Sequence, residues 1–198
     1  VASESRRPLA AEDPAVVELT RRWIAEVVIG LNLCPFARRV FDGGLIRYAV
    51  TRARNTTELI TVLTEELRLL SVTPEDRIET AFLIHPEVLH DFLDYNDFVA
   101  EADQLIDELG FRGTIQIAGF HPRYQFAGTA IDDVENYTNR SPFPMLHLLR
   151  ESSITPVNAD PERLAEIPRR NIALLCRMGT AGVRKLVEEF GIPLPADT

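Results

Sequence analysis

Apolar residues recur at helical spacing through Val16, Val17, Thr20, Trp23, Ile24, Val27, Val28 and Leu31. That one-sided stripe predicts an amphipathic helix. Asp13 caps it and Pro14 occupies its first turn, and Asn32 to Pro35 end it. The turn Asp42-Gly43-Gly44 leads into a predicted strand, Leu45 to Thr51. Asn55-Thr56-Thr57-Glu58 has the form of a capping box. It opens a helix whose stripe is Leu59, Ile60, Leu63, Leu67 and Leu70, broken at Thr73–Pro74. Ala81 to Ile84 is a continuous apolar run, the mark of a strand covered on both faces. A helix follows from Val88 to Leu109, with a kink expected near Tyr95–Asn96, and Gly110 closes it. Thr114 to Gly119 is the third predicted strand.

The order is β-α-β-α-β with helices long enough for crossovers, so parallel pairing and right-handed connections are expected. The predicted fold is a single α/β domain: a short, mostly parallel sheet with N-terminal and C-terminal helices. From Phe120 to Pro144 the periodicity stops. A long irregular segment within a compact domain is usually functional or disordered, and five aromatics in it argue for order. Helix is expected to resume at Ser141–Pro142 and run through Leu149. Further helices are expected near 161–178, interrupted by Pro168, and 181–190, closed by Gly191. Residues 1–13 and 192–198 read as tails around one domain, 14–191.

The chain has 198 residues, 45% of them hydrophobic, enough for one substantial core. No apolar stretch approaches the length of a membrane span. The N-terminus lacks the apolar core of a secretion signal, so a cytoplasmic location is expected. Two cysteines, Cys34 and Cys176, are expected to be free, buried thiols rather than a disulfide. The net charge of −9 is uneven: +3 over residues 1–54, −12 over 55–111 and zero over 112–198. That acidic middle disfavours nucleic acid and anionic membranes as partners.

Candidate chemistry clusters late in the chain. His85 and His121 close the second and third strands, where open α/β sheets bind ligands. His147 and Glu151 lie four apart on the predicted helix and so would share a face. Converging imidazoles and a carboxylate could hold zinc, iron or manganese, though no tight zinc signature is present. Satisfied core or capping histidines are the plainer alternative. Ser141 would cap the helix begun by Pro142, leaving free N–H groups for an anion. Arg123 and Arg140 would add bidentate recognition, with Asn136 and Tyr124 orienting the ligand. Cys34 follows a helix C-terminus, which raises a thiol pKa, so nucleophilic use would need a nearby histidine such as His121. No Walker loop, glycine-rich dinucleotide fingerprint or GxSxG elbow occurs.

Several motifs carry a family resemblance. They are Asn32-Leu33-Cys34-Pro35-Phe36-Ala37, Leu83-Ile84-His85-Pro86, the stretch from Asp91 to Phe98, Phe120-His121-Pro122-Arg123-Tyr124-Gln125-Phe126-Ala127-Gly128-Thr129, Asn136 to Pro142, and His147-Leu148-Leu149-Arg150-Glu151. Together they resemble the domain of unknown function family numbered 1415, over roughly residues 15–178. The resemblance implies a compact, stand-alone bacterial-type protein and hands over no catalytic residues. It marks Cys34, His85, His121 and 136–151 as motif positions. Arg123 departs from it, since the resemblance implies an acidic residue there; in that case the anion argument rests on Arg140.

These observations lead to three expectations. The first is a small-molecule enzyme acting on an anionic substrate at the strand ends and the 121–151 segment. A divalent transition metal would sit on His85, His121 and His147, with Glu151 as ligand or general base. The second is a metal-free thiol enzyme using Cys34 with His121. The third is a non-enzymatic module that binds a ligand or a protein.

Overall fold

A computed structural model describes residues 10–11, 13–154 and 161–194. Helix α1 (Pro14–Trp23) begins where Asp13 accepts a hydrogen bond from the Val16 N–H. It passes directly into a π-helix, Ile24–Ile29. The short α2 (Ala37–Asp42) leads to β2 (Ile46–Thr51), with Ala10–Ala11 forming β1 beside it. Next come α3 (Thr56–Val72), capped by Asn55, β3 (Thr80–Ile84) and α4 (Phe92–Glu108), capped by Asp91. After β4 (Ile115–Phe120) and a 3-10 turn at Val134–Thr138 comes β5 (Met145–Arg150). The chain closes with α5 (Glu151–Ile154), α6 (Pro161–Val187) and a 3-10 turn at Glu188–Phe190.

The strands form one sheet in the order β1-β2-β3-β5-β4. Only β2 and β3 pair in parallel; β5 is antiparallel to both of its neighbours, and β1 to β2. The α/β class stands, but the sheet is mixed rather than mostly parallel. The difference comes from one segment. Met145 to Arg150 was expected to finish a helix started by Ser141–Pro142, and it is a strand. Its apolar run fits either structure at this length. Lying between β3 and β4, it is covered on both faces: Leu146 and Leu148 are buried toward one layer and Met145 toward the other, where His147 is half-buried. The cap reading fails with it, since the Ser141 hydroxyl donates to the Phe143 carbonyl at 2.7 Å.

The sheet separates two cores. On one face α3 and α4 pack through Leu59, Leu63, Leu67, Tyr95, Phe98 and Ile106. On the other lie Trp23, Ile24, Val27, Leu175, Val183 and Val187, from α1, the π-helix and α6. Arg150 closes the first face from within β5: its guanidinium donates to the carbonyls of Leu70, Thr73 and Ile78. Those are carbonyls at the end of α3 and in the following loop that would otherwise be buried without a donor.

Helix α4 runs without the expected kink, and α6 continues through Pro168. The break expected near residue 180 is at Gly179, where φ is +65°. The expected N-terminal tail contributes β1, and most of it lies outside the described residues. At the other end Ile192 is buried and the Pro193 carbonyl accepts from the Tyr137 hydroxyl, so packing extends past 191; residues 195–198 lie outside the described residues. No helix among the described residues is long and apolar enough to cross a membrane.

Candidate functional site

Both β3 and β4 run opposite to β5, so they point the same way. Their ends bring His85 and His121 to one edge of the sheet, as the strand-end argument required. Both rings lie against Tyr95, with centroids 5.9 and 4.9 Å away. His85 Nδ1 is 3.1 Å from the Val88 carbonyl, and His121 Nε2 is 3.1 Å from the Leu89 carbonyl. A carbonyl only accepts, so each of those nitrogens carries the proton. His121 Nδ1 then accepts from the Arg123 N–H at 3.0 Å. Leu89 itself has a φ of +60°, a conformation costly for a branched side chain. The two imidazoles therefore tie down a strained turn, 85–90. Burial pushes both histidines down to about 4, so they are neutral at pH 7. His85 Nε2 is buried without a partner among the described residues.

His147 is not part of this pair. It projects from the middle of β5 onto the opposite face, where its ring stacks on Phe82 at 3.9 Å. Glu151 follows β5 at the other edge, with its N–H on the Thr114 carbonyl. The three histidines thus fall on two faces of the sheet. Among the described residues no group of three His, Cys, Asp or Glu side chains is placed to hold a metal.

The polar segment is held chiefly by its own side chains. Asn136 is fully buried; its oxygen accepts from the Phe126 N–H and the Thr129 hydroxyl, and its amide donates to the Ala130 carbonyl at 2.8 Å. Arg140 is buried, donates to the carbonyls of Tyr124, Ile131 and Pro193, and lies over the Tyr137 ring. Tyr124 packs between Phe92 and Phe126. Of the residues expected to meet an anion, only Arg123 is exposed. With His90 and His121 it borders an open concavity of about 340 Å³.

A more enclosed cavity of about 230 Å³ lies on the His147 face, under α1 and the π-helix. Trp23, Ile24, Val28, Phe36 and Phe120 form much of its wall, and Phe82 with His147 lies on the sheet side. Its polar groups are few: Cys34, Glu79, Thr80, His147 and Ser153. Glu79 is buried and ion-paired with the exposed Arg39. Residues 34 and 147 are thus brought to one cavity from opposite ends of the fold.

Local backbone chemistry places Cys34. In the π-helix the Gly30 N–H reaches back to the Ala25 carbonyl, and the Leu33 N–H to Val28, five residues each. A Cβ at Gly30 would fall 2.1 Å from the Glu26 carbonyl oxygen, so this position takes only glycine. Asn32 turns the chain at φ +53°. The Leu33 carbonyl then accepts from Asn171 of α6 at 2.7 Å, which fixes the loop from the far side. Burial raises the Cys34 thiol pKa, partly offset by the Phe36 and Ala37 N–H groups. Burial alone lowers His147 to about 3. The resting pair is therefore a thiol and a neutral imidazole. Cys176 is exposed, not buried as expected.

Sequence reasoning paired Cys34 with a strand-end histidine, His121 or His85, and read β5 as a helix. Correct placement of β5 would have put His147 on the α1 side. The π-helix and Gly30 carried no visible signal, since a single wide turn shifts the apolar stripe of a helix too little to stand out in the sequence. Phe82, read as part of a strand covered on both faces, and Phe120, read as an aromatic of the irregular segment, line the cavity.

Neither the curated proteins nor the solved structures yield a match to this chain. The family model described as Protein of unknown function (DUF1415) matches residues 15–185. With nearly the whole described domain inside that match, the chain belongs to the DUF1415 family.

Proposed function

We propose that this protein binds a small, uncharged, largely apolar molecule in the cavity beneath α1 and the π-helix, where Cys34 and His147 meet it. The observation that carries the reading is the convergence of a thiol and an imidazole on one enclosed, aromatic-lined cavity of about 230 Å³. Ligand sites are typically concave and apolar, with a few placed polar groups. An apolar cavity of roughly 150 Å³ accommodates benzene, so this one has room for a substituted ring. The charged groups also favour a neutral occupant: Glu79 is acidic and already paired with Arg39. An anion would meet a carboxylate and an apolar wall, which is costly.

The same pair supports a second reading, a thiol enzyme in which His147 takes the part expected of His121. Burial holds the thiol protonated and the imidazole weakly basic. Nucleophilic chemistry would therefore require the bound molecule to change that environment.

The test is binding of a panel of neutral single-ring compounds to the wild type and to Ala118→Leu, which extends a cavity-lining side chain of β4 into the space. Saturable binding to the wild type that weakens at least tenfold in the folded variant is expected. Equal binding to both would place the ligand elsewhere and remove the proposal.

A further inference from the structure

We infer that the occupant of this cavity is a neutral ring compound carrying an O–H or N–H group, bound through that group to Nδ1 of His147. The inference rests on the cavity being the ligand site and adds the chemical class of the ligand.

The argument starts at Thr80. Its Oγ1 lies 2.7 Å from the Leu148 carbonyl and 2.7 Å from His147 Nε2. A hydroxyl has one proton, and the carbonyl can only accept it. The contact with His147 must then run the other way, with Nε2–H donating to Oγ1. A neutral imidazole has a single N–H, so Nδ1 is a bare acceptor. No hydrogen bond to Nδ1 exists among the described residues, and Phe82 covers one face of the ring. The tautomer is thus fixed by Thr80 of β3 and the backbone of β5; His147 itself lines the cavity, and Nδ1 is its unpaired acceptor.

That arrangement selects by charge and by donor. A carboxylate would bring acceptor against acceptor, with Glu79 on the same wall. An ammonium would lose its hydration in an apolar space whose one carboxylate is already paired with Arg39. A neutral donor avoids both costs and gives Nδ1 its missing partner. The rings of Trp23, Phe36, Phe82 and Phe120 favour an aromatic occupant through edge and face contacts. Phenol is the simplest molecule with these properties; toluene matches its shape without the donor, and benzoate carries the disfavoured charge.

The experiment measures phenol, toluene and benzoate affinities by calorimetry or ligand-detected NMR at pH 7, on the wild type and on His147→Phe. Comparing the phenol-to-toluene ratio in the two proteins cancels the difference in hydrophobicity. The ratio is expected to fall by about tenfold in His147→Phe, the size of one net hydrogen bond, and benzoate is expected not to bind. A second readout needs no variant: the imidazole Nδ1 signal of ¹⁵N-labelled wild type should move with phenol and stay in place with toluene. If both ring compounds bind with an unchanged ratio and a stationary Nδ1 signal, this inference falls and the cavity remains a ligand site. Benzoate binding as tightly as phenol would also overturn it. If no ring compound binds the wild type, both readings fall together.

Discussion

Lowering the pH from 7 to 4.5 should destabilise this protein steeply. Three histidines are held as neutral groups: the buried His85 and His121 at about 4, and the half-buried His147, whose ring is stacked on Phe82, at about 3. In an unfolded chain each would titrate near its ordinary value of about 6.5. Their folded pKa values are depressed, so the unfolded state binds more protons throughout the interval between. Stability from these groups is complete above about pH 6.5 and is lost as pH falls toward 4. At about 1.4 kcal/mol per unit, each contributes on the order of 3 kcal/mol. Together they are comparable with the whole stability of a typical domain, about 5–15 kcal/mol. Near pH 5 the slope should approach 4 kcal/mol per pH unit, about 1.4 for each of three protons. Ordinary carboxylates titrate lower and contribute little above pH 5. Protonation also reduces the net charge of −9, and the smaller self-repulsion works in the stabilising direction. A fall in stability in this window therefore points to buried bases. Urea unfolding followed by Trp23 fluorescence at pH 7.5, 6.5, 5.5 and 5.0 gives the slope. In His147→Phe it should drop by about one-third. A flat or rising profile from pH 7.5 to 5.0 would refute the assignment of three imidazoles held neutral by the fold.

Other substitutions probe the supports of the site. Gly30→Ala should destabilise the fold by about 1–3 kcal/mol, the usual range for overpacking, and speed alkylation of Cys34 as its loop shifts; unchanged stability in urea would contradict the close approach to Glu26. Arg140→Leu leaves the carbonyls of Tyr124, Ile131 and Pro193 without their donor. It should cost about 2–4 kcal/mol while the cavity ligand, whose site Arg140 does not line, binds as before; a specific loss of affinity at full folding would show that Arg140 serves ligand binding. Cys34 in the wild type should react with iodoacetamide at pH 7.5 more slowly than the exposed Cys176, because burial keeps it protonated. Peptide mapping after short exposure distinguishes the two thiols.

Much of this fold was legible in the sequence because local signals agreed with the final structure. The caps at Asp13 and Asn55 are where the polar–apolar pattern placed them, and β2, β3 and β4 match the expected strands closely. Strand β5 was not legible. Met145-Leu146-His147-Leu148-Leu149-Arg150 has apolar residues at both helical and doubly buried strand spacing, and Ser141–Pro142 imitates a helix start. Only the gap between β3 and β4, a tertiary fact, selects the strand. That one choice decided the candidate site. As a helix, residues 147–151 carried His147 and Glu151 together toward the strand ends. As β5 they direct His147 to the α1 face and Glu151 to the far edge. The density of polar side chains from His121 to Ser141 was visible but ambiguous. Asn136, Arg140 and Ser141 are fully engaged in holding a loop with little regular secondary structure, work that needs many donors whether or not a ligand binds there.

The most direct test of the cavity as the ligand site is a crystal structure of the wild type soaked in phenol. Density for one ring between Trp23, Phe82 and Phe120, beside His147 and Cys34, is the expected result. A well-ordered crystal with that cavity unchanged and phenol bound at the strand-end concavity near His90 and Arg123, or nowhere, would contradict the account.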